Sequence, residues 1–268
     1  MWLGARCYSR IGDFEQPKLE LDLMNLFKLT AVVIAIAFFT ACNFTEEIYF
    51  NENGTGKINI GFDGGEMLQM LPSTDSTELE EVIDSTLVFR DLLRDKKDSI
   101  VQLSPEQQTE LKKLEPFSLH MLVNTEEGIM NFDMFTNFKD VSEINDAFNA
   151  FQSASSIGPA AGGKPMPKNS ANKATEVSYS FKKYKFKRSV AIVDQDLFKQ
   201  SIDSLSSAEM FLSGSTYTFK YHFPKRIKST NLEEATFSMD GKTMIYEVNF
   251  LEMLKDPESI LIEVELEN

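Results

Sequence analysis

The chain has 268 residues, a net charge of −14 at neutral pH and 42% hydrophobic residues. This length suits one large domain or two small ones, with enough apolar residues for a substantial core. The acidic balance argues against nucleic-acid binding, because phosphate backbones require a positively charged surface.

Residues 24–42 follow the order of a secretory signal. One basic residue, Lys28, precedes an apolar run from Leu29 to Ala41, and small residues then lead into Cys42. As a helix, this run would reach about 20 Å, less than the roughly 30 Å hydrocarbon core of a bilayer. The run therefore predicts a signal peptide over 24–41 and not a membrane-spanning helix.

The last four residues of that segment, Phe39-Thr40-Ala41-Cys42, resemble the lipobox of bacterial lipoproteins, with Phe39 in place of the usual Leu. The resemblance implies cleavage between Ala41 and Cys42 and acylation of Cys42 on its sulfur and its new amino group. Several acyl chains would give a stable membrane anchor. The alternatives are an ordinary signal peptide with an accidental cysteine and a buried apolar helix.

A signal normally begins at the N-terminus, yet residues 1–23 precede this one. We interpret them as a start-site misassignment, with translation beginning at Met24. The two cysteines are Cys7 and Cys42. The first would be lost and the second lipidated, so no disulfide is expected in the mature chain.

Alternating apolar and polar residues after Cys42 predict several antiparallel strands. Residues 42–47 are expected to form a short tether before them. Asn53-Gly54 and Asp240-Gly241 are typical of hairpin turns. The predicted strands cover 48–51, 57–63, 117–124, 128–138, 175–193, 217–223, 235–239, 243–249 and 260–266.

Helix-start signals separate these strands. Thr77-x-x-Glu80 predicts a helix that ends near Arg94, and Ser104 followed by Pro105 predicts a short one. Further helices are expected after Asp140 and over 194–212. The Met- and Phe-rich apolar faces are expected to form the core, and a ligand cavity is the alternative.

The sequence therefore predicts an α+β fold in which antiparallel β-hairpins form a twisted sheet with several helices packed on one side. Residues 153–174 are rich in Gly, Pro and Lys and predict a flexible linker or loop. This segment either separates two lobes, 48–152 and 175–268, or interrupts one domain.

One basic cluster lies among the aromatic residues of 175–193. Such a cluster is a candidate site for an anionic ligand, and it also protects an exposed sheet edge, which is the commoner use. Its members are Lys182, Lys183, Lys185, Lys187 and Arg188.

The chain has two histidines, His120 and His222. Neither lies in a hydrolase or zinc-protease motif, and the mature chain has too few His and Cys residues for a zinc site. His120 is expected on the solvated face of its strand. The sequence therefore predicts no catalytic residues, no metal site and no cofactor.

Two further resemblances concern the mature chain. Its start, with Glu46, Glu47 and Ile48-Tyr49-Phe50-Asn51, resembles lipoproteins of Bacteroidota in which acidic residues near the cysteine direct export to the cell surface. The segment from Tyr217 to Glu267 is similar to the LppM-type lipoprotein domain, which would imply an envelope α+β domain in contact with lipid.

We therefore expect a lipoprotein of the cell envelope, with the outer membrane favoured over the inner one. It would act as a binding or interaction module whose partners are the membrane and envelope proteins or lipids. A lipid carrier or lipoprotein chaperone is the alternative. An envelope hydrolase ranks third, because it would need a cleft in which a histidine meets carboxylates.

Overall fold

Strands dominate the computed structural model, which describes residues 43–70, 82–155, 173–206 and 209–268. All of these residues belong to one compact unit, Thr40–Asn268. The strands are β1 (Asn43–Phe50), β2 (Gly56–Asp63), β3 (Val82–Val88), β4 (Ser118–Asn124), β5 (Ile129–Phe138), β6 (Thr175–Lys182), β7 (Lys185–Ile192), β8 (Thr216–His222), β9 (Ile227–Thr230), β10 (Thr236–Phe237), β11 (Thr243–Asn249) and β12 (Ile262–Leu266).

Short helices connect and cover the strands. They are α1 (Gly65–Met70), α2 (Phe89–Asp95), α3 (Lys97–Ile100), α4 (Pro105–Lys113), α5 (Ala147–Ser155), α6 (Gln195–Leu205), α7 (Glu209–Leu212) and α8 (Phe250–Lys255), with 3-10 turns at Val141–Ile144 and Pro257–Ser259. The predicted α+β class is thus confirmed. The strands, however, form two sheets and not the one twisted sheet that we expected.

Strand β1 organises the larger sheet, whose order is β10-β11-β8-β1-β2-β5-β4-β3. It pairs antiparallel with β2 and parallel with β8. The parallel pairing requires a long connection, and here most of the chain lies between the two strands. Strands from before residue 152 and after residue 175 therefore share one sheet, and the two segments do not form separate lobes.

The smaller sheet, β6-β7-β12-β9, packs on the inner face of the larger one. Phe50 of β1 forms several of the aromatic contacts between them. Its ring centroid lies 5.3 Å from Phe186 of β7 and 4.8 Å from Phe181 of β6. It also lies 5.8 Å from Phe138 and 5.4 Å from Phe223. Because Phe50 is buried, these contacts make it part of the core that joins the sheets.

Several local predictions are confirmed. Ser104 forms a complete capping box with Gln107 at the start of α4. Gly54 and Gly241 have φ values of +83° and +68° in the turns before β2 and β11, a conformation that glycine adopts without steric cost. The 117–124 and 128–138 segments form the β4–β5 hairpin.

The tether prediction for 42–47 is wrong for the described residues, because β1 begins at Asn43 and includes Glu46 and Glu47. The helix predicted from Thr77 to Arg94 is also largely wrong. Its capping box lies outside the described residues, 82–88 form β3, and only Phe89–Asp95 is helical there. The β-branched residues of 82–88 favour a strand, and pairing with β4 satisfies their backbone groups.

The helix predicted after Asp140 is interrupted. Asp140 caps a 3-10 turn, Val141–Ile144, and Asp146 has a φ of +60° before α5 begins. Asp tolerates this left-handed conformation better than most residues. Of the predicted 153–174 linker, residues 156–172 lie outside the described part, and 153–155 complete α5.

Candidate ligand-binding cavity and the residues around it

A cavity of about 660 Å³ lies between the smaller sheet and the helices α5, α6 and α8. Its volume is within the usual range for small-molecule sites. About half of the residues that line it are apolar, and the others are polar or charged. The apolar residues include Phe148, Val177, Val190, Phe198, Ile202 and Met253.

Helix α6 forms one wall of this cavity. Asp194 caps the helix by accepting a hydrogen bond from the Leu197 backbone N–H at 2.9 Å. Its apolar residues Leu197, Phe198, Ile202 and Leu205 lie on one side, yet none of the residues of α6 is buried. An apolar helix face ordinarily packs closely against the core. Here the cavity lies beside the apolar face of α6, so this face stays partly exposed.

Arg188 of β7 reaches the cavity from the opposite wall. Its side chain is 3% exposed and forms a buried ion pair with Glu46 of β1, with Nε 3.2 Å from Oε1. The guanidinium also lies over the Phe219 ring, 4.7 Å from its centroid. Within the described part of the chain, its Nη1 has no hydrogen-bond partner. Arg188 is therefore held by Glu46 and enclosed by the aromatic core.

Three buried tyrosines, Tyr179, Tyr217 and Tyr221, surround the Glu46–Arg188 pair, and two of them donate hydrogen bonds to Glu46. The Tyr221 hydroxyl donates to Glu46 Oε1 at 2.6 Å, and the Tyr217 hydroxyl donates to Oε2 at 3.1 Å. Burial and then the negative charge of Glu46 raise the pKa of both hydroxyls well above the ordinary value. Burial acts to lower the pKa of Arg188, but the Glu46 charge outweighs it and the pKa is raised. Arg188 therefore stays charged, and Tyr217 and Tyr221 stay protonated.

Asp146 and Lys173 form an ion pair at another part of the cavity lining. Asp146 Oδ1 also accepts hydrogen bonds from the Val177 backbone N–H at 2.9 Å and from Asn149 at 3.1 Å. Burial acts to lower the pKa of Lys173, but Asp146 outweighs this effect and raises it. Asp146 thereby joins the start of α5 to strand β6 and helps to hold the cavity wall.

A separate polar cluster lies on the outer face of the larger sheet. Glu47 Oε1 is 2.8 Å from His222 Nε2 and 3.0 Å from Lys220 Nζ, and it accepts from the Tyr49 hydroxyl at 2.7 Å. The Tyr49 and His222 rings stack with centroids 4.0 Å apart. His222 Nδ1 lies 3.0 Å from Thr243 Oγ1. A histidine thus meets a carboxylate here, but on a sheet face and away from the cavity described above.

The groups of this cluster influence each other's ionisation. Burial raises the pKa of Glu47, but the hydrogen bonds from Tyr49 and His222 and the contact with Lys220 outweigh it, so the net pKa is lowered. The hydrogen bond to Glu47 raises the pKa of Tyr49 to about 12. The Glu47 carboxylate and the Tyr49 phenol therefore stabilise each other in their ionised and protonated forms, respectively.

We expect Glu47→Gln to reduce the acid sensitivity of folding. The pKa of Glu47 is lower in the folded state than its ordinary value of 4.5. Its stabilisation is therefore present above that value and is lost as the pH falls through the folded pKa. Urea unfolding from about pH 6 to about pH 3 would measure this slope. The control is Glu126→Gln in an exposed turn, and parallel curves for wild type and Glu47→Gln would contradict the prediction.

The predicted basic cluster is divided between two faces of the smaller sheet. Lys185 and Lys187 are exposed and form ion pairs with Glu265 and Glu263 of β12. Lys182 and Lys183 are exposed near the β6–β7 turn. Arg188 points inward, so its inclusion in a surface patch for an anionic ligand is wrong. Side chains alternate across a strand, which places Arg188 with the buried Phe186.

Glu46 corrects a second expectation. Glu46 is fully buried, so it is not part of an exposed acidic patch for surface export. Its alternation with Ile48 and Phe50 in β1 was the sequence signal for this inward position. The same signal existed for Arg188, which alternates with Phe186 and Val190 in β7.

His120 lies on the outer face as expected, with a side chain 35% exposed and Nε2 2.9 Å from Asp84 Oδ1. Ala41 and Cys42 lie outside the described residues. Within the described ranges, no group of His, Cys, Asp and Glu residues has the arrangement of a metal site. None of the helices described is long and apolar enough to cross a membrane.

No protein-family model and no curated protein matches this chain. Among solved structures, the chain is similar to the NMR structure of the folded domain of LppM from Mycobacterium tuberculosis. The two are 8% identical, the similarity covers 84% of this chain and 89% of that chain, and the TM-score is 0.34. So weak a likeness carries no conclusion about fold or activity.

Proposed function

We propose that this chain is a lipoprotein of the bacterial cell envelope, anchored through Cys42, whose folded domain is a non-catalytic binding module. The anchor rests on the signal-like segment 24–41 and on the lipobox resemblance that ends at Cys42. The binding role rests on one observation, the cavity beside α6, whose apolar residues Phe198, Ile202 and Leu205 line it and are only partly buried. The outer membrane is the proposed location.

The apolar side of α6 supports ligand binding on physical grounds. Phe198 and Ile202 line the cavity and are only partly buried. A ligand that covers them would remove apolar surface from water, which favours binding.

A lipid carrier is the second candidate, and the apolar wall formed by α6 favours it. A carrier and a binding module would both retain a lipid, but only a carrier would deliver it to another membrane. Transfer of a fluorescent phospholipid between two vesicle populations distinguishes them. Transfer faster than the spontaneous rate favours the carrier, and retention without transfer favours the binding module.

The anchor is tested by the intact mass of the protein extracted from membranes of its native host. We expect a chain that begins at Cys42 and carries acyl chains, and we expect Cys42→Ala to lack them and to leave the membrane fraction. This result would also show that residues 1–23 are not part of the mature protein. An unacylated chain that retains residues 1–41 would overturn the anchor and the localisation.

The cavity is tested by native mass spectrometry of the extracted protein. We expect a bound small molecule in the wild type, and much less of it in Ile202→Trp, whose larger side chain would fill the cavity. The control is Gln200→Trp, an exposed position on the same helix that does not line the cavity. Equal occupancy in both variants would overturn the assignment of this cavity as the binding site.

A further inference from the structure

We propose that strand β3 pairs antiparallel with β3 of a second copy of this chain, which joins the larger sheets of both copies into one continuous sheet. The strand lies at an edge of its sheet and, within the described part of the chain, pairs only with β4. No residue of β3 lines the cavity, so this interface goes beyond the proposed binding function and does not depend on it. Two features of the molecule support the pairing, an unprotected edge and a strand that is complementary to itself.

The other sheet edges among the described strands carry features that hinder pairing with a further strand. Strand β10 has only two residues, and β9 has four, carries the exposed Lys228 and changes register against β12. The edge of β6 is covered by a neighbouring segment, in which the Asp146 N–H donates to the Val177 carbonyl at 2.9 Å. The Asn145 side chain there accepts from the Tyr179 N–H at 2.9 Å. Short strands, lysines, bulges and covered backbone are the usual protections of a sheet edge.

Within the described residues, strand β3 has none of these protections. It has seven residues, contains no Lys or Pro, and pairs with β4 in one unbroken register. Its only charged side chain is that of Asp84. Val82 and Val88 at its two ends are 54% and 40% exposed. An exposed edge of this length and composition readily pairs with another strand.

The backbone of β3 leaves alternate residues free at this edge. Phe89 continues the register of β3 against β4, and its N–H donates to the Phe117 carbonyl at 3.2 Å. In an antiparallel ladder, directly opposed residues alternate between hydrogen-bonded and non-hydrogen-bonded pairs. Every second residue back from Phe89 therefore bonds to β4, and the N–H and C=O groups of the others point to the free edge. These others are Val82, Asp84, Thr86 and Val88.

A two-fold axis at Ser85 pairs the strand with itself along its whole length. Each apolar residue then meets an apolar residue of the second copy, and such cross-strand pairs stabilise a sheet. The residues whose backbone groups point to the free edge meet each other, which gives about eight hydrogen bonds between the copies. The opposed pairs are Val82–Val88, Ile83–Leu87, Asp84–Thr86 and Ser85–Ser85.

Charge and length select this register over its neighbours. Backbone groups at the two free edges must face each other, so the nearest alternative axes pass through Asp84 or Thr86. An axis at Asp84 would place the carboxylates of the two copies directly opposite each other, which is destabilising. An axis at Thr86 would leave Val82 and Ile83 without partners. The axis at Ser85 is therefore the most favourable of the three.

A cysteine at the two-fold axis tests the contact. The protein is the full chain with Cys7→Ala and Cys42→Ala in a non-ionic detergent, so that Ser85→Cys provides the only thiol. The two copies of residue 85 would form a non-hydrogen-bonded pair, whose Cα separation of about 4.5 Å suits a disulfide. We expect a disulfide-linked dimer on mild oxidation. The matched control Ser229→Cys, at an exposed position of β9, should give none.

Two variants at Thr86 test the register by sedimentation across a range of protein concentrations. Thr86→Pro removes an N–H that points to the free edge and spares the bonds to β4. Thr86→Asp places a carboxylate opposite Asp84 of the second copy, and each variant should weaken the dimer at least about tenfold. Thr236→Asp in β10, at the opposite edge of the same sheet, should leave the dimer unchanged. Circular dichroism verifies folding, and if Thr86→Pro does not fold, Thr86→Asp decides.

Three outcomes would overturn this inference. The first is a chain that stays monomeric and forms no disulfide through Ser85→Cys, a result that leaves the proposed binding function standing. The second is a dimer that persists unweakened in Thr86→Asp, because its interface would lie elsewhere on the molecule. The third is a disulfide in native membranes between Ser85→Cys and a different protein, which would show that the edge of β3 has another partner.

Discussion

Replacing Arg188 by methionine is expected to lower the free energy of unfolding by about 3–5 kcal/mol. The substitution keeps an apolar side chain of similar length but leaves the Glu46 carboxylate buried without its counter-charge. Tyr217 and Tyr221 would still donate hydrogen bonds to Glu46, but hydroxyl groups do not neutralise a charge. Urea unfolding monitored by tyrosine fluorescence and circular dichroism would measure the loss.

The double variant Glu46→Gln/Arg188→Met identifies the cause. Glutamine is neutral and its side-chain oxygen can still accept from the two tyrosines, so we expect at least half of the lost stability to return. The matched control is Lys187→Met, the preceding residue, whose exposed pair with Glu263 should contribute about 1 kcal/mol or less. No recovery in the double variant would show that packing, and not the unpaired charge, causes the loss.

Replacing Phe50 by alanine is expected to lower the free energy of unfolding by about 3–5 kcal/mol. Phe50 is buried and contacts rings of both sheets, including Phe138 of the larger sheet and Phe186 of the smaller one. Alanine would remove these contacts and leave a cavity where the sheets meet, and the rigid strands around it can collapse only in part.

The matched control is Phe135→Ala on the outer face of β5, where the side chain is 41% exposed. The same change of residue type there should alter stability by about 1 kcal/mol or less. Equal losses at the two positions would contradict the role of Phe50 in joining the sheets. Phe50→Leu should lie between wild type and Phe50→Ala, since it leaves a smaller cavity.

Patterns of neighbouring residues were sufficient to predict part of this fold. The β4–β5 hairpin follows from strict alternation, and the start of α4 follows from Ser104, Pro105 and Gln107. The secondary-structure prediction was wrong where the spacing of apolar residues suited both a helix and a strand. Residues 82–88 fit a helical spacing as well as a strand, and their pairing with β4 decided between them.

For the cavity too, the sequence predicted the local element but not its tertiary surroundings. A helix over 194–212 was predicted and α6 lies within that range, yet nothing local indicates that its apolar side borders a cavity and is not buried. Likewise, Arg188 belongs to a run of basic residues in sequence, and only its strand register turns it away from them. The partner that holds it, Glu46, lies 142 positions earlier in the chain.

By itself, the sequence determined the α+β class, most of the hairpins and the starts of α4 and α6, because these depend on side chains a few residues apart. The lipobox resemblance at Cys42 is likewise a local pattern, and it supports the proposed location in the cell envelope independently of the fold. Only the tertiary structure decided that β1 begins at Asn43, pairs in parallel with β8 and buries Glu46 beside Arg188. Such pairings join residues far apart in the chain, and their stability comes from the burial and contacts that exist only when both sheets have formed.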